Sequence, residues 1–251
     1  MAHKVLLFLG AGGNVGAASV ALFKSRGYKV ASAARTIRDE ITASSDLVVT
    51  ADFSDPNVVR GIFEKVEQQL GVPNVVIYNA YSWSVGPDPA NPLSAPIENL
   101  QKDLAVNTIS AFAAAQAAVE GFGKLSGDVK TTFMYTGNAA NTFIMPELFG
   151  LAVTKSTSWY LVQTLVATPL FASKGYRFYY VDERTPEGKG MRFISGPGHA
   201  QFFLQLAEQE KQGEPLATFV RGKGYVGFEG SERAVLPVGV SEERIDWAYG
   251  A

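Results

Sequence analysis

Residues 5–16 read Val5-Leu6-Leu7-Phe8-Leu9-Gly10-Ala11-Gly12-Gly13-Asn14-Val15-Gly16, five apolar residues running straight into a glycine-rich turn. Small and apolar residues then alternate from Ala17 to Phe23. The pattern predicts a buried strand, a tight turn and the first turns of a helix. Such a junction lets backbone N–H groups and a helix N-terminus meet a pyrophosphate with no side chain in the way. The spacing is not G-x-G-x-x-G, because Val15 stands at the third glycine position. It fits G-x-x-x-G-x-G with Asn14 at the middle glycine, and asparagine tolerates positive φ better than most non-glycine residues. Gly10, Gly12, Gly13, Asn14, Val15 and Gly16 are therefore candidate cofactor-binding residues.

Outward from this turn, Lys29 to Arg35 reads as a second strand. In a dinucleotide fold the end of that strand faces the adenosine ribose. An acid there would bind the ribose hydroxyls, whereas an arginine favours a 2′-phosphate. Arg35, with Arg38 nearby, points to NADP(H). Leu47 to Asp52 is the third strand, with Asp52-Phe53 at its tip, and Ser54-Asp55-Pro56 then predicts a helix start. Val75 to Ala80 is the fourth strand, ending in Asn79-Ala80. A Pro- and Gly-rich loop containing Trp83 follows, then a long alanine-rich helix from Ile97 to about Gly123 that contains Asn107. The fifth strand runs from Thr131 to Gly137, the next helix from about Leu148 to Thr168, and the sixth strand from Tyr176 to Val181. Six strands alternating with helices predict an α/β fold, a doubly wound and mostly parallel sheet with helices on both faces.

Beyond Val181 the pattern changes. Asp182 to Gly190 reads as a charged turn between short strands, His199 to Gln212 as a helix, and Ala217–Val220 and Tyr225–Phe228 as late strands. The tail to Ala251 carries no clear pattern. The 251 residues suit one domain, with an atypical part from about 182. A net charge of −2 offers no broad basic face for nucleic acid. Without cysteine there is no disulfide and no cysteine-ligated metal. No run is long and apolar enough to span a membrane, and no signal-peptide pattern is visible, so a cytoplasmic protein is expected. His3 and His199 suggest surface or capping roles and no metal site.

The order of landmarks resembles the short-chain dehydrogenase/reductase family over residues 3 to about 181. The turn from Gly10 to Gly16, Asp52 after the third strand, Asn79-Ala80 after the fourth, Asn107 in the long helix and Lys155 in the next helix carry the likeness. The resemblance implies a Rossmann-like fold that holds the cofactor on the glycine turn, Arg35, Asp52, Phe53, Asn79, Ala80 and Lys155. It further implies Lys155 at the nicotinamide ribose, Asn107 at a helix kink supporting a water relay, and pairing of the Asn107 and Lys155 helices between subunits of a dimer or tetramer. The family's usual catalysis needs a serine, a tyrosine and a lysine four residues after the tyrosine. Here the tyrosine position is Leu151 and the serine position is Asn138. Leucine transfers no proton, and asparagine hydrogen-bonds without being an acid. The family's usual Pro-Gly after the sixth strand is replaced by Val181-Asp182-Glu183-Arg184.

Lys155, Asn107 and Asn138 thus remain as the catalytic candidates, with Glu147 and Asp182 as acids in the flanking loops. Trp83 and Phe149 are candidates for an apolar cleft. Two classes of function stand open. One is an NADP(H)-dependent oxidoreductase that reduces a small organic substrate by hydride transfer with another proton source. The other is a non-redox protein on the same fold, either a cofactor-binding pseudoenzyme or a repurposed cyclase or isomerase.

Overall fold

Every residue of β1 (Val5–Leu9) is buried, because this strand lies between β2 (Lys29–Ala34) and β4 (Val75–Tyr78). A strand covered on both faces needs no polar alternation, which is why its sequence is a continuous apolar run. The structure is a computed structural model that describes residues 3–88, 90–228 and 249–250. Outward on one side lie β2 and β3 (Leu47–Thr50). On the other lie β4, β5 (Thr132–Thr136), β6 (Arg177–Glu183), β8 (Leu216–Val220) and β9 (Gly224–Tyr225). All neighbours are parallel except the last pair. The sheet is the doubly wound, mostly parallel one that the pattern predicts. A separate parallel pair joins β7 (Gly190–Met191) to β10 (Tyr249–Gly250).

Successive residues of each strand supply opposite faces. Leu7, Val76, Tyr78, Phe133, Tyr135, Phe178 and Tyr180 share one core with α3 (Val58–Leu70), α5 (Ser110–Phe122) and α6 (Phe149–Ala167). Leu6, Phe8, Ile77, Met134, Tyr179 and Val181 share the other with α1 (Val15–Ser25) and α8 (Gly196–Glu208). Short helices α2 (Asp39–Ala43), before β3, and α7 (Pro169–Ala172), before β6, had no signal strong enough to be read.

Several boundaries differ from expectation, each for a local reason. Strand β6 extends through Asp182 and Glu183, because β8 pairs with it at Asp182–Thr218 and Glu183–Phe219. These acids are therefore buried strand residues rather than a charged turn. Helix α3 starts at Val58, not at Ser54 or Asp55, because Asp55 Oδ1 accepts the N–H of Asn57 and holds Pro56 in a turn. The long alanine-rich helix is α4 (Ile97–Leu104), a π segment over Ala105–Ile109 and α5. Helix α8 begins at Gly196, earlier than expected, since Ser195 Oγ accepts Gly198 N–H and Pro197 fits the first turn. His199 is consequently buried at 1% exposure, and the expected surface role does not hold. The second late strand is only Gly224–Tyr225. Residues 229–248 of the tail lie outside the described residues.

Candidate active site

The glycine turn leaves β1 at Gly10, whose φ is +92°, and a Cβ there would stand 2.2 Å from the backbone nitrogen of Ala80. At Gly16, in the first turn of α1, a Cβ would meet the Ala11 backbone at 2.8 Å. Around Gly12 nothing lies within 4 Å, and Gly13 meets only the Arg38 and Glu40 side chains at 3.4 Å. Two glycines thus serve close packing, and two leave the outer side of the turn open for a backbone-bound phosphate. Asn79 fixes this shape by donating its amide to Gly10 O at 2.8 Å, while Asn79 and Ala80 both donate backbone N–H groups to Leu9 O. Val15 is buried at the start of α1. These residues fit a dinucleotide.

Asn14 does not take the left-handed conformation anticipated for it; its φ is −105°. Its amide is committed elsewhere. Nδ2 donates to Ile194 O at 3.0 Å, and Oδ1 accepts Gly196 N–H at 2.9 Å. A Cβ on residue 196 would lie 2.5 Å from that oxygen, so the clasp requires glycine there. The clasped segment is anchored from below by Glu183, whose Oε2 accepts Ser195 N–H at 2.6 Å and lies 3.4 Å from His199 Nδ1. Its Oε1 accepts Arg221 Nε–H at 3.1 Å. Burial pushes the Glu183 carboxyl upward, but His199, the Ser195 N–H and Arg221 together outweigh it and hold it below the ordinary glutamate range.

At the other end of the turn, Arg35 is exposed immediately after β2, and Arg38 lies along Gly13. Asp52 is exposed, and the N–H of Ser54, helped by Arg35, draws its carboxyl below the usual range. Phe53 turns its ring inward onto Tyr78, at 5.8 Å between centroids, so only its backbone remains available to a ligand.

The second half of the site gathers at the ends of β5 and β6. Asn107 sits in the π segment, which frees it from regular helix geometry. Its side chain accepts Ser82 N–H at 2.8 Å and donates to Ser82 O and to Thr154 Oγ1. Its carbonyl accepts the Tyr135 hydroxyl at 3.0 Å and that of Ser158 at 2.8 Å. Lys155 is buried, and its Nζ donates to Thr136 O at 2.9 Å and to the Tyr135 hydroxyl at 3.3 Å. Tyr135 therefore joins Lys155 to Asn107 directly. Burial draws the Lys155 pKa down to about 7 against the opposing pull of Asp182. Burial also pushes the Tyr135 hydroxyl up.

Leu151 is buried one turn before Lys155 on α6. Asn138 caps a short turn, its Oδ1 accepting Ala140 N–H at 3.1 Å, while its backbone exchanges hydrogen bonds with the Tyr180 hydroxyl. Asp182 is not the loop acid expected. It is 1% exposed, with Oδ2 held by Arg184 Nε–H. Arg184, equally buried, continues to Gly188 O at 3.0 Å and Thr142 Oγ1 at 3.2 Å. Glu147 lines a cavity of about 210 Å³ with Phe149, Leu100 and Asp103, between the loop after β4 and the start of α6. Trp83 lies outside that lining and is 49% exposed. Of the residues that the family resemblance points to, Lys155 and Asn107 are joined through Tyr135, and Asn138 stands just after β5. The structure adds Tyr135 and the Asp182–Arg184 pair, whose only signal in the sequence was charge beside an apolar strand pattern. Among the described residues no group of three metal-ligating side chains occurs, and no helix is long and apolar enough to cross a membrane.

No family model matches the chain. It is 38% identical over 239 residues to short chain dehydrogenase/reductase dmxR12 of Cryptosporiopsis sp. (strain 8999), covering 91% of this chain and 96% of that one. Among solved structures, NADH-dependent reductase A1-R' complexed with NAD superposes with a TM-score of 0.73 at 17% identity, over 89% of this chain and 96% of that one. An alcohol dehydrogenase from Thermococcus sibiricus complexed with 5-hydroxy-NADP gives 0.69 at 16% identity, over 90% and 99%. At such identities these structures speak for the fold alone, whereas the longer and closer match to dmxR12 speaks for descent. The chain belongs to the short-chain dehydrogenase/reductase family.

Proposed function

We propose that this protein is an NADP(H)-binding oxidoreductase that reduces a small organic substrate by hydride transfer, without the family's usual serine and tyrosine. The observation that carries this is the glycine turn, open at Gly12 and Gly13 and flanked by Arg35 and Arg38. Backbone N–H groups and the N-terminus of α1 would hold the pyrophosphate. Arg35 and Arg38 would hold a 2′-phosphate, with Asp52 and the Phe53 backbone at the adenine end. Asn79, Ala80, Asn107, Asn138 and Lys155 would border the nicotinamide end, where the cofactor supplies hydride chemistry when bound. One dinucleotide-binding domain spans 1–251 in this proposal, and the protein is a cytoplasmic homo-oligomer that acts on neither nucleic acid nor membrane. A substrate such as an iminium or an activated alkene needs less proton help than a ketone and suits Leu151.

The test is a binding titration with both cofactors. NADPH is expected to bind more tightly than NADH, and Arg35→Asp to erase or reverse the preference. Loss of a charge-assisted contact to phosphate costs about 1.5–3 kcal/mol, roughly ten- to a hundredfold in affinity. Equal affinities in the unmutated protein would remove the NADP(H) assignment. A second possibility, a cofactor-binding protein without redox turnover, is favoured by one observation. The Lys155 ammonium is buried and spends two of its donors on Thr136 O and the Tyr135 hydroxyl. NADPH binding with no oxidation across a panel of ketones, imines and activated alkenes would select it.

A further inference from the structure

Strand β6 ends in Asp182 and Glu183, and Arg184 follows it, three consecutive charged residues each at most 2% exposed. Burying charge is costly unless every polar atom is matched. Glu183 spends both oxygens on Ser195, His199 and Arg221, and Arg184 spends its guanidinium on Asp182, Gly188 and Thr142. Asp182 alone keeps an oxygen, Oδ1, that is buried and has no partner. It is not isolated in this. Both polar atoms of the Asn141 side chain are also buried without partners, as are Ser19 Oγ on α1, Thr132 Oγ1 at the start of β5 and Thr136 Oγ1, the last on the sheet face opposite to Asp182. Arg184 ties Asp182 to Thr142, the neighbour of Asn141. The Asp182 and Asn141 atoms therefore lie together beyond the ends of β5 and β6, the mark of a site that a ligand completes.

Lys155 enters the same place. Phe178 and Tyr180 face α6, so Asp182, two residues on, lies on the same side of the sheet as Lys155. An ammonium carries three donors, and Thr136 O and the Tyr135 hydroxyl account for two. The third is uncommitted. Leu151 precedes Lys155 by one turn and has no proton to give.

We propose that Lys155 itself donates the proton in the reduction, and that Asp182 is the positioning residue that keeps it protonated. The proposal rests on the reductase assignment above. Hydride adds to the carbon of a polarised C=X bond while a proton passes from Lys155 Nζ to X. The products are the saturated C–H and X–H groups, oxidised cofactor and a neutral lysine. Lys155 regains its proton from water admitted as product leaves. A donor that titrates near the working pH is the effective one, and burial brings the lysine to about 7. The other titratable or charged groups facing the pair are Tyr135 from β5, Tyr180 from β6, Arg184 beyond β6 and His199 from α8. Both tyrosines are pushed up by burial and stay neutral in this range. Reduction is thus expected to be fast below about pH 7 and to fall above it, the direction set by loss of the donor proton.

The experiment titrates the lysine side chains of the full-length protein, labelled with 13C at Cε, by NMR without cofactor. One resonance is expected to titrate near pH 7 and to vanish in Lys155→Met. In Asp182→Asn its midpoint should fall by about one unit, as expected on removing a nearby opposite charge. Asp182→Glu keeps the charge and should restore the unmutated midpoint; it is also the second variant if Asp182→Asn does not fold. The alkaline limb of the NADPH-dependent rate should move with the same midpoint. A midpoint unchanged by Asp182→Asn, or every lysine titrating near its ordinary value, would overturn the proposal. Absence of NADPH binding would instead strike the reductase assignment and leave the titration standing.

Discussion

Leu151 and Lys155 occupy one face of α6 a turn apart, and the contrast between them defines the chemistry at the residue scale. If the site is a reductase that lost its tyrosine, ordinary ketones should be poor substrates despite firm NADPH binding. General acid catalysis supplies about a hundred- to ten-thousandfold, which bounds the deficit where Lys155 replaces the tyrosine only in part. Leu151→Tyr combined with Asn138→Ser is expected to raise ketone reduction, measured as steady-state NADPH oxidation against the unmutated protein. Brisk ketone turnover by the unmutated protein would show that Lys155 or another group serves a ketone as fully as the tyrosine would. Leu151, Lys155, Asn107 and Asn138 were legible as candidates through the family resemblance, since each falls at a position of its motif. The partners of Lys155 were not legible in the same way. Tyr135 reads as one more strand residue, and only burial turns its hydroxyl into the link between Lys155 and Asn107.

At the scale of elements, the segment between β7 and α8 is fastened to the start of α1 through the Asn14 amide. Asn14→Ala removes both bonds and leaves Gly196 N–H and Ile194 O to find water. Two ordinary hydrogen bonds contribute about 1 kcal/mol each, so a stability loss of about 1–2 kcal/mol is expected in urea unfolding. Cofactor affinity should fall with it, because the same segment borders the glycine turn. A variant with unchanged stability and affinity would show that the clasp closes nothing. The alternation of strand and helix was readable because β1, β4 and β5 are apolar runs between strong turn signals. The end of β6 was not. Acids and an arginine in a row look like a solvated turn, and only the pairing of β8 with Asp182 and Glu183 draws them into the sheet. The start of α8 was shifted for a similar reason, since the Ser195 cap is one polar residue among several.

For the whole molecule, both cores are filled, yet α5 and its approach keep apolar side chains outside. Ile109 is 50% exposed and Phe112 48%, and Tyr160 on α6 is 71% exposed. Pairing of these helices between copies is the expectation, and light scattering should give a multiple of 27.0 kDa. Phe112→Glu, placed on that face, is expected to shift the protein toward the monomer without loss of secondary structure. A monomer in the unmutated protein at micromolar concentration would remove the homo-oligomer proposal.

The Asn14 clasp also bears on how the chain is made. Its bond to Gly196 spans 182 residues of sequence. Contacts of such separation form late, because the entropy of closing a long loop must be met before they repay it. The strand–turn–helix around Gly10 leaves the ribosome first, and the Gly196 segment that borders it follows 182 residues later. If the turn receives the cofactor as proposed, it is incomplete until the clasp closes, and cofactor capture is expected late in folding rather than at its beginning.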